Sequence, residues 1–545
     1  MFLRTTQGTN KKYLSIVEGY RENGKVKQRK LLSLGAVDEV NKEQLTNLAK
    51  KLLEFCNVPF DFDIYNSEEI SRKNWGAYLV LSKLWELFKF DNFWKDQLKD
   101  RKLKIDIKEV LMLLLSDRLC TPCSKLRSFN RQDYYYGLKK DFSLQDIYRT
   151  LDELSDYKEE IEKHIFKQNQ NQFNMDVEVV FYDVTTFYFE SIKSDDIRDF
   201  GYGKDGKFNE VQVVFGMLTN VEGRPIGFDI FPGNTYEGNT FKDALIKLKN
   251  KYNIKKVTIV ADRGLNSSHN LLDLKSREFE YIVGSKIKNL NKKLKETVLD
   301  IDSYTNIKTD DDSEVFKYKI IEYLRKIKVK DEETNITTTE LITSKIICTW
   351  SSKRARKDRK DRERLVEKAG TLIKTKKCEN KRGAQKYINN IKTDEAEIDI
   401  EKIEYDSRWD GFYGVETSDK TLSSEEVLDS YKKLWKIEES FKILKSHLEA
   451  RPVFHWTKKR ITGHFVLSYI AFLFERTLEL ELKKENIETS SANYIRDCLT
   501  SMEFSEILID GKTFYLRSKI NDLSDKLLKI LKIKTPKTIS LPEGF

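Results

Sequence analysis

Three carboxylates stand out in this sequence because of where they lie. Asp183 follows the apolar run VVFY, and Asp262 ends the run TIVA, so each is predicted to lie on or at the end of a buried strand. A carboxylate there is costly unless it is paired or binds a metal ion. Glu438 lies in the segment YKKLWKIEESFKILKSHL, whose apolar spacing is typical of an amphipathic helix. Taken singly, each Asp also fits a turn or cap, and Glu438 fits the polar edge of an ordinary helix.

Taken together, the three carboxylates indicate one chemistry. Carboxylate oxygens suit Mg²⁺ or Mn²⁺. Two such ions can activate an attacking hydroxyl and stabilise the leaving oxygen of a phosphodiester.

The segment that carries Glu438 predicts a single helix with two lines of side chains. At 100° per residue, an apolar stripe contains Leu434, Ile437, Phe441, Leu444 and Leu448. Tyr431, Glu438 and Lys445 recur at every seventh position and form a second line at the edge of that stripe. We therefore expect a phenol, a carboxylate and an ammonium group side by side next to the core.

The elements that must position the two aspartates form a mixed pattern. Strands are predicted over 177–190, 208–219, 225–231, 256–261 and 281–285, with helices over 239–252 and 268–276. Three hairpin-linked strands followed by β-α-β alternation indicate a mixed sheet with helices packed on it. The motif GYGKDG at 201–206 spells GxGxxG, but a β-like run follows it, so a hairpin or substrate-facing loop is predicted rather than a dinucleotide site.

The rest of the chain is predicted in outline. Two β-like runs around Asn23-Gly24 predict an N-terminal hairpin. Helical periodicity dominates 41–170 and returns from about 422 to the C-terminus, and strands are predicted at 315–327, 340–350 and 397–405. The predicted segments are the following: a hairpin and helix (1–58), a helical region that is a candidate for DNA binding (59–172), a first core part (173–289), a β-rich insertion with a basic helix (290–405), a second core part (406–480) and a C-terminal helical region (481–545).

The positive charge is concentrated rather than diffuse. Between Lys353 and Lys386 there are fifteen Lys and Arg but five Asp and Glu, a local excess equal to the net charge of +10 of the whole chain. This stretch is either a solvated helix with internal ion pairs or a phosphate-binding surface. The candidate phosphate contacts are Arg354, Arg356, Lys357 and Arg359.

Composition excludes several classes of protein. With 39% hydrophobic and 12% aromatic residues in 545, the chain is neither disordered nor collagen-like. The longest apolar stretch, 465–474, is about half the roughly 20 residues that span a bilayer, so it predicts a core helix. We expect a cytoplasmic protein without a membrane partner.

The sequence resembles bacterial insertion-sequence transposases that carry a DDE catalytic triad on a ribonuclease-H-like fold. The matching segments are FYDVTTFYFE, GYGKDG with VQVVFGMLTNVEGRPIGFDIFPGNTYEGNTF, TIVADRGLNS, DGFYGVETS and YKKLWKIEESFKILKSHLEARPVFHW. They span about 180–460, and their order and spacing are highly specific. The group's helix signature is Tyr, then Arg after three residues, Glu after four more and Lys after seven more. Tyr431, Glu438 and Lys445 fit this signature, whereas Leu434 stands where Arg is expected.

The resemblance implies both the fold and the activity. It implies an α/β protein: a ribonuclease-H-like mixed sheet with flanking helices, interrupted by a β-rich insertion and preceded by a β-hairpin and a helical region. Asp183, Asp262 and Glu438 would hold two Mg²⁺ ions, for which Mn²⁺ can substitute. Tyr431 and Lys445 would contact DNA, and Lys433 or Lys436 could replace the missing Arg charge.

The implied partners are double-stranded DNA at the transposon ends and in the target, and a second copy of the chain in the synaptic complex. The implied location is the bacterial cytoplasm, at the nucleoid when DNA is bound. The alternatives are a related metal-dependent nuclease that cuts without strand transfer and a domesticated, non-catalytic DNA-binding protein.

Overall fold

The computed structural model divides the chain into two compact units. It describes residues 1–22, 25–56, 67–101, 105–139, 141–201, 209–254, 256–307, 314–330, 337–375, 383–390, 396–487, 493–509 and 511–544. The smaller unit consists of Met1–Arg72, Phe504–Ser518 and Pro536–Phe545, and the larger one of Lys73–Glu503 and Lys519–Thr535. The predicted tip of the N-terminal hairpin, 23–24, and most of the GxGxxG loop, 202–208, lie outside the described residues.

The smaller unit is built from two sheets and a helix. Its elements are β1 (Phe2–Gln7), β2 (Lys12–Glu22), β3 (Lys25–Ala36), α1 (Lys42–Phe55) and β4 (Glu68–Asn74), joined by β16 (Glu503–Ile509), β17 (Lys512–Arg517) and β18 (Ile539–Ser540). The order β1-β2-β3 confirms the predicted hairpin and adds a strand that the sequence did not predict. The second sheet has the order β18-β17-β16-β4.

The prediction that the C-terminal region is helical is wrong for 503–509 and 512–517. These residues form the β16–β17 hairpin, with Ile509 paired to Lys512. Asp-Gly at 510–511 between two apolar runs is a hairpin signal that the helical interpretation overlooked. Gly511 has φ +74°, the left-handed conformation that such a turn requires.

The larger unit holds the remaining elements. Its N-terminal helices are α2 (Gly76–Leu87), α3 (Phe90–Leu98), α4 (Ile107–Cys120), α5 (Lys125–Asn130), α6 (Leu144–Asp156) and α7 (Lys158–Phe173). The first core part contains β5 (Val179–Tyr188), β6 (Gln212–Asn220), β7 (Pro225–Pro232), α8 (Glu237–Asn250), β8 (Thr258–Ala261), α9 (Ser268–Ser276) and β9 (Glu280–Gly284).

The insertion and the C-terminal half complete this unit. The insertion contains α10 (Lys292–Leu299), β10 (Thr305–Ile307), β11 (Phe316–Lys330), β12 (Thr337–Ser351), α11 (Ser352–Lys374), β13 (Ile388–Asn389), β14 (Glu397–Ile398) and α12 (Ile400–Ser407). After it come β15 (Phe412–Thr417), α13 (Ser424–Lys432), α14 (Trp435–Lys442), a π-helical turn (Ile443–His447), α15 (Lys458–Lys484), α16 (Tyr494–Thr500) and α17 (Asp522–Ile530).

A nine-stranded sheet organises the larger unit, in the order β10-β11-β12-β15-β9-β8-β5-β6-β7. Strand β5 pairs antiparallel with β6 and parallel with β8, and β8 pairs parallel with β9. This mixed five-stranded segment, with helices on both faces, confirms the expected ribonuclease-H-like α/β core. The central strands are almost continuously buried because helices cover both faces of the sheet.

The two faces of the sheet are covered by different helices. Alternate side chains of β5, such as Val180 and Tyr182, pack with Phe241 and Leu245 of α8. On the opposite face, Phe187 of β5 packs against Phe465 of α15, their ring centroids 5.0 Å apart. Helix α15 contains the apolar stretch 465–474, whose assignment as a core helix is confirmed. Among the described residues, no helix is long and apolar enough to cross a membrane.

The insertion does not form a separate β-domain. Its long strands β11 and β12 extend the core sheet, because β12 pairs with β15 and β15 pairs with β9. The predicted strand at 397–405 is wrong: two residues, Glu397–Ile398, are extended, and α12 follows. Asp399 begins this helix by accepting a hydrogen bond from the backbone N–H of Lys402 at 2.9 Å.

A buried carboxylate connects the insertion to the core. Glu416 of β15 is fully buried, and its Oε2 accepts hydrogen bonds from Arg325 of β11 at 2.7 Å and from Asn266 at 3.2 Å. Its Oε1 accepts hydrogen bonds from the hydroxyls of Ser344 at 3.0 Å and Tyr281 at 3.4 Å. Asn266 lies in the loop that follows Asp262, so this network fixes that loop against three strands.

We expect Glu416→Ala to lower the free energy of unfolding by about 3–5 kcal/mol, because the guanidinium of Arg325 would lose its buried partner. Glu340→Ala is a matched control on neighbouring β12, since the Glu340 side chain is 50% exposed and pairs with Lys275. The control should change stability by less than about 1 kcal/mol. Urea unfolding measures both variants, and equally small effects would contradict a central role for Glu416.

Candidate functional site

Asp183 and Asp262 occupy corresponding positions on two adjacent parallel strands. The last residues paired between β5 and β8 are Tyr182 and Ala261, and each aspartate comes next along its strand. Adjacent strands lie about 4.8 Å apart. Because Tyr182 and Ala261 belong to the core on the α8 side, alternation directs both aspartates to the opposite face, toward α14 and α15. Both are half-buried, so the sheet brings the two predicted carboxylates together.

The backbone after β8 fixes the orientation of Asp262. Its Oδ1 accepts hydrogen bonds from the N–H groups of Gly264 at 2.8 Å and Leu265 at 3.2 Å. The carboxylate thus caps the short 3₁₀ turn Arg263–Leu265, which is the cap role that the sequence left open. Both bonds are accepted by Oδ1, and neither of them involves Oδ2.

Glu438 lies in the first turn of α14 and is exposed. Helix α14 packs on the same face of the sheet as the aspartates, because its Phe441 meets Phe215 of β6 with ring centroids 6.4 Å apart. Glu438 and Phe441 are three residues apart and share one side of the helix. The helix therefore lies over the sheet face from which Asp183 and Asp262 project.

The prediction of a single uninterrupted helix around Glu438 is wrong. Helix α13 ends at Lys432, α14 begins at Trp435, and a π-helical turn occupies Ile443–His447. The apolar stripe is preserved, since all five of its predicted residues are buried. Lys445 lies in the π-helical turn, and its ammonium group is 5.6 Å from the ring centroid of Phe187. Turns of this kind occur frequently at functional sites.

A pair of phenols connects the aspartate edge to the insertion. The hydroxyls of Tyr431 and Tyr413 are hydrogen-bonded at 2.6 Å, and the guanidinium of Arg354 lies 4.4 Å from the ring centroid of Tyr413. Burial raises the pKa of Tyr431, and the nearby Tyr413 and Asp262 raise it further. The Tyr431 hydroxyl therefore stays protonated and can donate a hydrogen bond. Sequence reasoning gave Tyr413 no role, although it lies in the segment DGFYGVETS.

Leu434 lies where the signature expects Arg, and it is buried with 7% of its surface exposed. The two lysines that could replace the missing charge are both ion-paired. Lys433 contacts Asp429 at 2.7 Å. Lys436 lies 3.9 Å from Glu439 and 4.1 Å from the ring centroid of Trp435. Burial lowers the pKa of Lys436.

The basic stretch forms helix α11, which is anchored on one side and exposed on the other. The Asp358 carboxylate accepts the Gly411 N–H at 3.0 Å, and Arg362 forms a salt bridge with Asp410. The four predicted phosphate contacts, Arg354, Arg356, Lys357 and Arg359, are all exposed. Arg354 lies 3.6 Å from Asp358, and Arg356 lies 3.5 Å from Glu314. In the described part of the chain, neither Lys357 nor Arg359 has an acidic partner.

The donor set at this edge of the sheet fits a hard divalent cation. Asp183 and Asp262 offer carboxylate oxygens from adjacent strand positions, as Mg²⁺ and Mn²⁺ prefer. Glu438, the third predicted carboxylate, does not join the two aspartates in one cluster. Across the described residues, no three His, Cys, Asp or Glu side chains are grouped to hold a metal. The strand pair is therefore preformed, and Glu438 belongs to the helix above it.

Acidic groups at the edge of a ribonuclease-H-like sheet, beside an exposed basic helix, are the arrangement expected of an enzyme that cuts and joins DNA strands. Comparison with known proteins specifies this class. The chain belongs to the DDE transposase family, because residues 174–474, more than half of its length, match the model of the transposase DDE domain. Residues 3–61 match the N-terminal domain of IS1634 family transposases. The protein is thus a DNA transposase, and DDE transposases generally use divalent metal ions.

Similar solved structures include a piggyBac transposase synaptic complex with hairpin DNA, at 8% identity and a TM-score of 0.35, covering 79% of this chain and 82% of that chain. The Mos1 paired-end complex with the left transposon end has 12% identity and a TM-score of 0.15, covering 33% and 58%. The Mos1 mariner paired-end complex with Mn has 13% identity and a TM-score of 0.14, covering 44% and 78%. The curated proteins contain no match.

We expect Gly284→Ala to slow DNA cleavage by about 10²-fold, because small displacements of positioning groups have effects of this size. A Cβ on Gly284 would lie 2.7 Å from the Tyr431 hydroxyl and 3.1 Å from the Arg263 backbone nitrogen, so Tyr431 would have to move. Gly370→Ala in α11 is the control, since nothing lies within 4 Å of its Cβ position. Cleavage assays on folded protein measure both, and a wild-type rate for Gly284→Ala would rule out a role for the Tyr431 position.

Proposed function

We propose that this transposase binds the terminal inverted repeats of its own element and cuts the DNA there with Asp183, Asp262 and Glu438 as the catalytic carboxylates. The observation that carries the proposal is the register of β5 and β8, which aligns two aspartates at adjacent strand positions on one sheet face. Strand transfer would follow when the released 3′-OH groups attack target DNA.

The three carboxylates are proposed to hold two Mg²⁺ ions, for which Mn²⁺ can substitute. When bound, such ions activate the attacking hydroxyl and stabilise the leaving oxygen. Asp262 keeps a fixed orientation because two backbone N–H groups hold its Oδ1. Glu438 is exposed on α14, so it can meet the aspartates as DNA is bound. Tyr431 is proposed to donate its hydroxyl hydrogen to a DNA phosphate.

The exposed side of α11 is proposed as the main phosphate-binding surface. A cavity of about 510 Å³ supports this proposal, because it connects Arg263, next to Asp262, with the basic helix. Its cationic lining residues are Arg263, Lys286, Lys288, Arg354, Arg362 and Lys386. Lys445 is proposed as a further DNA contact near the active site. Lys433 and Lys436 stay proposed contacts, with ion pairs that would rearrange on binding.

The assembly and location follow from the proposed reaction. Joining two transposon ends requires at least two copies of the chain, so we propose a homodimer in the synaptic complex with transposon ends and target DNA. The regions 1–58 and 59–172 are proposed to assist in end recognition. The proposed location is the bacterial cytoplasm, at the nucleoid when DNA is bound.

We expect Asp183→Asn, Asp262→Asn and Glu438→Gln each to abolish Mg²⁺-dependent cleavage of terminal DNA while leaving end binding nearly unchanged. Each substitution keeps the shape of the side chain but removes a negative metal ligand. Glu425→Gln in the first turn of α13 is the matched control, because Glu425 is exposed and lies on the neighbouring helix. EDTA should abolish cleavage by both the wild type and the control.

The measurements are gel-based cleavage and, separately, anisotropy of labelled end DNA in Ca²⁺. Full cleavage by Glu438→Gln would remove Glu438 from the catalytic set. Cleavage without joining of ends to target DNA would favour a nuclease, and end binding by the wild type without cleavage would favour a domesticated DNA-binding protein.

We expect Lys357→Gln combined with Arg359→Gln to weaken DNA binding and to make the slope of log affinity against log salt less steep by about 2, since each phosphate contact contributes about 0.9. Lys292→Gln combined with Lys293→Gln is the matched control, because it removes the same charge from α10, where both lysines are exposed. Titrations at several KCl concentrations measure the slope. An unchanged slope for the α11 variant would show that this helix is merely a solvated surface.

A further inference from the structure

A second cavity, of about 420 Å³, lies in the larger unit and is not used by the proposed cleavage chemistry. Its walls are the junction of α4 and α5, the segment 449–457, the start of α15 and Tyr148 of α6. The charged and imidazole side chains that line it are Arg118, Lys125, Arg451, Arg460, His455, His464 and Glu449. Four arginine and lysine side chains and two histidines thus line the cavity with a single carboxylate, which lies on an exposed residue, and Arg460 also contacts Asp152 at 3.5 Å.

Lys125 is the residue that most strongly indicates an anion-binding role for this cavity. It is 6% exposed, and burial, together with the nearby Arg118, holds its pKa well below the usual value. No carboxylate of the described residues forms an ion pair with it. Burial therefore favours the neutral amine, and an anion that enters the cavity would favour the protonated, charged form of Lys125.

Two neighbours of Lys125, Arg118 and His464, are fixed by hydrogen bonds but keep buried polar atoms without a partner among the described residues. One guanidinium nitrogen of Arg118 donates to the backbone carbonyls of Leu448 at 2.9 Å and Glu449 at 3.1 Å, whereas its buried Nε has no partner in the described structure. The Nε2 of His464 lies 3.0 Å from the carbonyl of Ala450, and its buried Nδ1 has no partner either. Burial and the charges of Lys125 and Arg118 lower the pKa of His455 to about 3. The groups repel one another, and a bound anion would relieve this repulsion.

Aromatic side chains form the rim of the cavity. Phe454 and Trp456 are each 61% exposed, which is unusual for large apolar side chains that lie close together. The guanidinium of Arg198 lies 4.9 Å from the ring centroid of Trp456 and supports it from one side. Aromatic rings next to a cationic groove are the surface on which nucleic-acid bases stack.

The cavity lies near the end of the strand that carries Asp183. The N–H of Val453 donates to the carbonyl of Tyr188 at 3.3 Å, and the guanidinium of Arg451 lies 5.6 Å from the Tyr188 ring centroid. Tyr188 is the last residue of β5, five positions after Asp183. At about 3.3 Å per residue, the strand from Asp183 to Tyr188 spans roughly 16 Å. This length corresponds to about five base steps of a DNA strand.

We propose that this cavity binds a phosphate group of a DNA strand several nucleotides from the cut, with the neighbouring base stacked on Trp456. The proposal rests on the proposed function, because it places the transposon end along β5. Lys125 and Arg118 supply the charge, and the rim supplies the stacking surface. This phosphate lies several nucleotides from the phosphate that reacts. Lys125 and Trp456 are therefore binding residues rather than catalytic ones.

The first test is Lys125→Met, measured by anisotropy of labelled end DNA without Mg²⁺ at several KCl concentrations. We expect about tenfold weaker binding and a salt slope less steep by about 1. The DNA-free variant should melt at the same or a higher temperature, because an apolar side chain replaces a buried amine that has no ionic partner among the described residues. Lys83→Met in α2 is the matched control: Lys83 is exposed, pairs with Glu86 at 3.0 Å and does not line the cavity.

The second test is Trp456→Leu, a substitution at an exposed position that leaves the core intact. We expect about tenfold weaker binding with an unchanged salt slope, because stacking contributes affinity without displacing counterions. Wild-type DNA affinity in both Lys125→Met and Trp456→Leu would overturn the proposal.

Inorganic phosphate separates a DNA site from a site for small anions. If 10–50 mM phosphate raises the melting temperature of the wild type but not of Lys125→Met while both bind DNA equally, the cavity holds free anions and the DNA assignment is wrong. Loss of DNA affinity in Lys125→Met supports the assignment. If Lys125→Met and Trp456→Leu bind and cleave DNA like the wild type, the cavity proposal is rejected and the proposed catalytic function is kept. If the wild type itself binds no DNA, both proposals are rejected.

Discussion

The geometry of the larger unit depends on the buried carboxylate of Glu416. Because this charge is removed from water, it requires close partners, and it obtains them from β11, β12, β9 and the loop after Asp262. The loop gains further bonds, since the Asn266 amide also donates to the carbonyl of Gly284 at 3.0 Å. The insertion strands are consequently part of the support of the aspartate edge, and the nine-stranded sheet acts as one element.

The same edge of the sheet is linked to the basic helix by uncharged groups. The Tyr431 hydroxyl is hydrogen-bonded to that of Tyr413, whose ring makes a cation–π contact with Arg354. Burial raises the pKa of Tyr431, so its hydroxyl stays protonated and uncharged. A metal site needs concentrated negative charge and a DNA surface needs positive charge, and the two phenols allow both within one unit. Helix α11 stays exposed because Asp358 and Arg362 anchor its other side.

The sequence was informative where each local pattern has one physical solution. Strands β5 to β9 were predicted because strands buried on both faces are almost continuously apolar, and α15 was predicted from its apolar length. The helix at 400–407 was misassigned because the short run IDI alternates like a strand, whereas the Asp399 cap decided the outcome. The interruption at Lys433 and Leu434 and the π-helical turn leave the apolar stripe buried, so no periodicity could reveal them.

The sequence by itself determined the residue types that do chemistry: two aspartates after apolar strands, a glutamate on an amphipathic helix and a concentrated basic stretch. Only the tertiary structure decided that the aspartates are neighbours, because strand register depends on pairing between residues 79 positions apart in the chain. It also decided that the insertion joins the core sheet, and it created the cavity in which Arg118 meets the carbonyl of Glu449, 331 residues away. Periodicity reports which face of an element is buried, whereas the identity of the partner emerges only when the whole chain packs.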